Sequence, residues 1–172
     1  MALATSSHSK NYALKTSHLR EMFDVFPERN VVLGDDQRIP TGRGKPAPEI
    51  YLLALETINN QLREEGKAEV LPEECLVFED SVPGIEAGRR AGMRTIWCPH
   101  PMILEECRGR EHEVMAGITS TARDEKLAVS QSVSDSGVAR LHGWPGRIGD
   151  GWTEQLQSLE DFCYERYEIP RL

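Results

Sequence analysis

The segment Leu76–Gly84, with the sequence LVFEDSVPG, constrains the fold of this chain more than any other. Three large apolar residues run directly into two adjacent carboxylates, Glu79 and Asp80, and a Pro-Gly pair follows. The apolar run is too short for a helix and predicts a buried strand, while the Pro-Gly pair predicts the start of a helix. A strand that ends in acidic residues is typical of parallel α/β sheets, whose ligands bind beyond the carboxyl ends of the strands.

Short apolar runs alternate with amphipathic segments along most of the chain. Strands are predicted at residues 1–4, 30–33, 76–78 and 95–98, and helices at residues 9–26, 46–65 and from residue 83 onward. Ser9 is a candidate N-cap of the first helix, and Gly66 is a candidate C-cap of the second. The alternation predicts a Rossmann-like parallel sheet with helices on both faces. The length of 172 residues predicts one main domain.

Residues 108–143 interrupt this pattern. They are rich in charged, Ser and Thr residues and show little apolar periodicity, so we expect a flexible insertion within the domain. Beyond it, Trp152, Leu156, Leu159 and Phe162 have the spacing of an amphipathic helix. We expect this tail to dock on the core.

Composition excludes several classes of function. The formal net charge of -8, without a dense run of Lys or Arg, argues against nucleic acid as a partner. The first twenty residues lack the pattern of a signal peptide, and no apolar run is long enough to span a membrane. Four cysteines without a Cys-x-x-Cys pair are typical of free thiols in a reducing compartment, and we expect a cytoplasmic protein.

Complementary chemistry follows the predicted strands and loops. Hydroxyls lie at Thr5 and Ser6, an ammonium at Lys45, and carboxylates at Glu79 and Asp80. Carboxylate oxygens suit Mg²⁺, whereas a lysine and a hydroxyl stabilise phosphate oxygens by charge and by hydrogen bonding. The set predicts a site for a phosphate group together with a divalent cation. Glu79 and Asp80 taken alone are equally compatible with a solvated strand end or a helix N-cap.

Five segments in order carry a family resemblance: ALATSS, LKTS, VLGDD, GKPAPEIY and CLVFEDSVPGIEAGRRAGM. Together they resemble the haloacid dehalogenase (HAD) superfamily, and most of all its branch of pseudouridine-5'-phosphatases and glycerol- and sugar-phosphate phosphatases. The resemblance covers residues 1–107 and, through GDGW and SLEDF, residues 149–163. It implies a HAD-like core and an Mg²⁺-dependent phosphomonoester hydrolase that acts on a small phosphorylated metabolite.

The resemblance also implies a role for each matched residue. Thr5 resembles the hydroxyl that binds the transferring phosphoryl group, with Ser6 beside it, and Lys45 resembles the lysine that stabilises its charge. Asp80 resembles the direct Mg²⁺ ligand, which Glu79 assists through water or an indirect contact. In such families an Asp attacks the phosphomonoester to give an aspartyl-phosphate that water hydrolyses, and a second Asp two residues later acts as general acid and base.

The chain departs from the family pattern at its nucleophile. No Asp-x-Asp occurs in the 172 residues, and the helical cap that selects the substrate is absent as well. In the family the nucleophile strand lies centrally, between the strands that lead to the hydroxyl and to the metal carboxylates. We therefore expect an incomplete core with two exposed sheet edges and a tendency to self-associate, in a chain that is marginally stable by itself or that rearranges. Losing several buried strand residues, at about 1.5–3 kcal/mol each, is large beside a net stability of about 5–15 kcal/mol.

Three interpretations follow from that departure. In the first, the chain is part of a split or truncated phosphatase and is inactive alone. In the second, it is a non-catalytic remnant that binds a partner chain. In the third, the sequence comes from an incomplete gene model. The substrate stays open among pseudouridine 5'-phosphate, glycerol phosphate and sugar phosphates. Asp35 and Asp36 are interpreted as turn residues and not as a second metal site. The five histidines lack the spacing of a zinc site.

Overall fold

A computed structural model describes residues 1–119 and 147–170 of the chain. Its strands are β1 (Leu3–Ala4), β2 (Val31–Val32), β3 (Leu76–Glu79), β4 (Arg94–Trp97) and β5 (Thr153–Gln155). Its α-helices are α1 (Ser9–Thr16), α2 (Arg20–Phe23), α3 (Glu49–Glu64), α4 (Val82–Arg90), α5 (Pro101–Glu106) and α6 (Glu111–Ala116). Short 3₁₀ turns at Glu28–Asn30, Pro72–Glu74, Leu159–Asp161 and Tyr164–Tyr167 complete the described elements.

Every strand pair in the described residues is parallel. β1 pairs with β2, and β4 lies between β3 and β5. The strands nevertheless form two separate sheets, because β1 and β3 are not hydrogen-bonded to each other. The predicted α/β class with a parallel sheet is confirmed, and the break lies between β1 and β3.

The inner face of β3 and β4 packs against helices. Val77 and Thr95 face α3 and α4, and Gly88 of α4 lies so close to Thr95 that any Cβ there would collide with its methyl group. Helix α3 packs on β1, β2 and α4, so it bridges the two sheets. The helix packs in this way because it is amphipathic and buries an apolar face that includes Ile50 and Ala54.

The outer face of the same strands is covered by the tail. Ile96 packs with Leu156 and Phe162, both of which are buried. The predicted docking of the tail is therefore found, but the predicted helix is wrong. Residues Thr153–Gln155 instead form β5, because their backbone pairs with the free edge of β4.

One further helix prediction differs from the structure, and a helix lies where the sequence predicts an insertion. The helix expected over residues 9–26 breaks at residues 17–19 into α1 and α2, and its N-cap is His8 and not Ser9. The structure places α6 at the beginning of the predicted insertion over residues 108–143, and Val114 and Ala116 bury that helix against the core. The remainder of that segment, from residue 120, lies outside the described residues. The predicted end of α3 is confirmed, since Gly66 has a φ of 66° just beyond its last turn.

No helix in the described ranges is long and apolar enough to cross a membrane. All four cysteines, Cys75, Cys98, Cys107 and Cys163, are free thiols.

Candidate functional site

The ends of β1, β3 and β4 meet at one cavity of about 500 Å³. Its lining includes every residue that the sequence predicted for the site, namely Thr5, Ser6, Lys45, Glu79 and Asp80. Its other lining residues are Ala4, Ser7, Phe78, Ser81, Cys98 and Leu159. Residues from distant parts of the chain are thus brought together, as expected for side chains that follow neighbouring parallel strands.

The loop after β1 is fixed by backbone hydrogen bonds. The Thr5 amide donates to the carbonyl of Val32 at 3.0 Å, and the Gly34 amide donates to the carbonyl of Ser7 at 3.0 Å. Gly34 has no room for a side chain, because a Cβ there would overlap the carbonyl of Ser6. The Thr5 hydroxyl accepts a hydrogen bond from the Ser7 amide at 3.2 Å, which leaves its own hydrogen available to an anion.

Asp35 and Asp36 have local structural roles. The Asp35 carboxylate accepts hydrogen bonds from the amide and the hydroxyl of Ser9, at 2.9 and 2.7 Å, and so holds the first turn of α1. Asp36 accepts from the amide of Arg38 two residues later at 2.9 Å, which is the pattern of an Asx turn. These bonds agree with the interpretation of the pair as turn residues.

Lys45 links the two sheets. Its ammonium forms an ion pair with Glu79, the last residue of β3, and it lies 3.5 Å from the carbonyl of Ala4 in β1. The Tyr51 ring lies beneath it, with 4.8 Å between Nζ and the ring centroid, within the range of a cation–π contact. The Lys45–Pro46 peptide bond is cis.

The Glu79 carboxylate is almost completely buried and meets four donors. Lys45 and the Tyr51 hydroxyl donate to Oε1, while the amide and the hydroxyl of Ser81 donate to Oε2 at 3.2 and 3.0 Å. Gly84 leaves room for it, because a Cβ at that position would overlap the carboxylate. Burial by itself raises the pKa of Glu79, but the charge of Lys45 and the donors from Lys45, Tyr51 and Ser81 outweigh it and bring that pKa below the ordinary range.

Asp80 differs from its neighbour. Its side chain is exposed, borders the cavity and has no hydrogen-bond or ion-pair partner within the described part of the chain. Only its backbone carbonyl is engaged, by the Trp97 indole N–H at 3.3 Å. The described residues contain no group of three or more His, Cys, Asp or Glu side chains that could hold a metal ion. One open carboxylate is compatible with Mg²⁺, which needs one or two protein carboxylates and takes its remaining ligands from water and phosphate.

Sequence reasoning missed Tyr51. Its ring lies on the buried face of α3, but its hydroxyl reaches the Glu79 carboxylate, and burial with that carboxylate raises its pKa far above the ordinary range. A tyrosine on an apolar helix face is a weak signal of such a contact, because a buried hydroxyl needs a partner. Phe78 and Leu159, which are apolar residues in the lining of the cavity, carry no sequence signal of that position.

The family sequence model of the haloacid dehalogenase-like hydrolases matches residues 1–92, which is more than half of the chain. The chain belongs to that family. A probable pseudouridine-5'-phosphatase of Saccharomyces cerevisiae is 46% identical over 101 residues, which are 59% of this chain and 40% of that protein. A probable pseudouridine-5'-phosphatase of Drosophila melanogaster is 35% identical over 118 residues, which are 67% of this chain and 46% of that protein.

A mitochondrial (DL)-glycerol-3-phosphatase of Arabidopsis thaliana is 31% identical over 125 residues, 73% of this chain and 38% of that protein. The chain spans about four tenths of the length of the curated relatives it matches. In this haloacid dehalogenase-like chain, the break between β1 and β3 lies where the resemblance places the nucleophile strand.

Proposed function

We propose that this chain supplies the phosphate-binding and cation-binding part of an Mg²⁺-dependent phosphomonoesterase site. The observation that carries the proposal is the grouping around one cavity of Thr5, Lys45 and Asp80, whose side chain has no partner in the described part of the chain. The cavity is polar where these side chains lie and large enough for a small phosphate ester. The names of the relatives, which are phosphatases of nucleoside and glycerol phosphates, support a small phosphorylated metabolite as substrate.

Each residue has a distinct proposed role. The Thr5 hydroxyl, with Ser6 beside it, donates a hydrogen bond to a phosphate oxygen, and the Lys45 ammonium neutralises its charge. Asp80 would hold the Mg²⁺, whose bound charge would stabilise the phosphate oxygens further. Glu79 keeps Lys45 in place through their ion pair.

We also propose that these 172 residues do not hydrolyse phosphomonoesters alone. They contain no Asp-x-Asp, and no aspartate other than Asp80 lines the cavity among the described residues. The separation of β1 from β3 supports this proposal, because a strand between them would bring its carboxyl end to the cavity. We propose the cytoplasm as the compartment.

Release of p-nitrophenol from p-nitrophenyl phosphate with Mg²⁺ tests both proposals. The chain alone should give no turnover above buffer. Adding a separately expressed segment with an apolar strand followed by Asp-x-Asp should restore it, and Asp80→Asn should abolish the restored activity. Turnover by the chain alone that Asp80→Asn removes would refute the proposed inactivity, and restored activity unaffected by Asp80→Asn would refute the role of Asp80.

A non-catalytic role is the second candidate, and the edges of β1 and β3 that pair with no strand of the described residues favour it. Unpaired strand edges bind other strands by adding them to the sheet, so the partner would be another chain or a second copy of this one. Size-exclusion chromatography with light scattering tests this candidate in its self-association form. A concentration-dependent dimer would support it, and a monomer at all concentrations would contradict it.

A further inference from the structure

Tyr51 lies behind the site and not in it. The side chain is on α3, only 7% of the residue is exposed, and it is not one of the described residues that line the cavity. Its hydroxyl nevertheless donates to Oε1 of Glu79, which does line the cavity. Any effect of the Tyr51 hydroxyl on a ligand must therefore pass through Glu79, whereas its ring contacts Lys45.

The Glu79 carboxylate has no acceptor position left for a cation. A carboxylate offers about four lone-pair positions. Two of them are taken at Oε1, by Lys45 and Tyr51, and two at Oε2, by the amide and the hydroxyl of Ser81. Glu79 can bind a divalent cation only by giving up at least one of these donors.

The adjacent carboxylate is in the opposite state. Asp80 borders the same cavity and has no partner for its side chain within the described residues. The two neighbouring acids are thus divided between two tasks, since Glu79 is held by protein donors and Asp80 is open to a ligand.

We propose that Tyr51 is a positioning residue whose hydroxyl holds Glu79 on Lys45 and away from the cation, so that Asp80 alone is offered to a divalent cation. This inference rests on the proposed function of the cavity. Tyr51→Phe removes only the hydroxyl and keeps the ring beneath Lys45. Because it removes one of four competing donors, it should allow Glu79 to join Asp80 on the cation.

Mn²⁺ binding by the chain measures this effect directly. Electron paramagnetic resonance of free Mn²⁺ gives the dissociation constant of the wild type, Tyr51→Phe, Glu79→Gln and the double variant. Tyr51→Phe should tighten Mn²⁺ binding roughly tenfold to a hundredfold, the range expected from loss of one hydrogen bond to a charged acceptor. The same substitution in the Glu79→Gln background should change it less than about twofold.

Tyr12→Phe is the matched control. It removes a hydroxyl from a half-buried tyrosine that packs on Phe23, outside the cavity, and should leave Mn²⁺ binding unchanged. The inference is overturned if Tyr51→Phe leaves the dissociation constant unchanged, or if it changes it equally with and without Glu79.

Failure of the proposed function has a separate signature. Wild-type chain that shows no saturable Mn²⁺ binding, or binding that Asp80→Asn leaves intact, contradicts the role of Asp80. The contact between Tyr51 and Glu79 is then decided by urea unfolding of the same four chains. Non-additive shifts of the unfolding midpoint support the contact, and additive shifts overturn it.

Discussion

Replacement of Glu79 by Gln removes the negative charge from a buried ion pair while keeping the size of the side chain. The side chains of Lys45 and Glu79 are 9% and 7% exposed, so the ammonium left behind has little access to water. Breaking a buried pair by removal of one partner costs about 3–5 kcal/mol. We expect Glu79→Gln to cost about 3–5 kcal/mol, because the single amide oxygen of Gln can replace the acceptor for Tyr51 or the acceptor for Ser81 but not both.

Urea unfolding at pH 7, followed by circular dichroism, measures this cost. The matched control is Glu56→Gln, which breaks an ion pair with Arg63 whose side chains are 53% and 44% exposed. Exposed pairs contribute about 0–1 kcal/mol, so this control should be almost neutral.

A double variant separates the pair from its surroundings. Lys45→Met combined with Glu79→Gln leaves no unpaired charge, so it should cost about 0.5–3 kcal/mol less than the sum of the single changes. A Glu79→Gln cost no larger than that of Glu56→Gln would refute the reasoning, as would additive effects of the two changes at Lys45 and Glu79.

The remaining predictions concern the surroundings of this pair. Gly84→Ala should lower the unfolding free energy by about 1–3 kcal/mol, because its Cβ would overlap the Glu79 carboxylate. Gly44→Ala is the control, since a Cβ there meets no atom within 4 Å and the change should be neutral; equal unfolding midpoints of the two variants would contradict this. Arg89→Met should lower the free energy of unfolding in urea by about 3–5 kcal/mol, because it leaves Asp150 without the fully buried guanidinium that pairs with it. A decrease of less than about 1 kcal/mol would show that the pair is dispensable. The lowered pKa of Glu79 means that its contribution is present at neutral pH and is lost as the pH falls from the ordinary pKa of a glutamate through the lower pKa of Glu79. The unfolding free energy of the wild type should therefore decrease in acid more steeply than that of Glu79→Gln, and parallel pH curves would argue against this.

The parallel sheet and the grouping of the site could be predicted because each depends on local patterns. The apolar run before Glu79 is long enough only for a strand, and Ser81 begins α4 by accepting a hydrogen bond from the Gly84 amide at 3.2 Å. Side chains that follow parallel strands converge at one sheet edge, which is why Thr5 and Asp80 could be expected near each other.

The rest depends on long-range contacts that leave no local pattern. Thr153–Gln155 are polar and become a strand only because β4 offers a free edge to their backbone. The bonds from Lys45 and Tyr51 to Glu79 join residues 34 and 28 positions apart. Those bonds give a physical reason for the different surroundings of Glu79 and Asp80, a difference that the family resemblance implies and that the two residue types alone do not.

Isothermal titration of inorganic phosphate into the chain, with and without Mg²⁺, tests the central claim most directly. The account predicts saturable phosphate binding that Lys45→Met weakens and that Mg²⁺ strengthens. It further predicts that Asp80→Asn removes the gain from Mg²⁺ while leaving the binding without Mg²⁺ nearly unchanged. An equal gain from Mg²⁺ in the wild type and in Asp80→Asn, or phosphate binding that is insensitive to Lys45→Met, would contradict it.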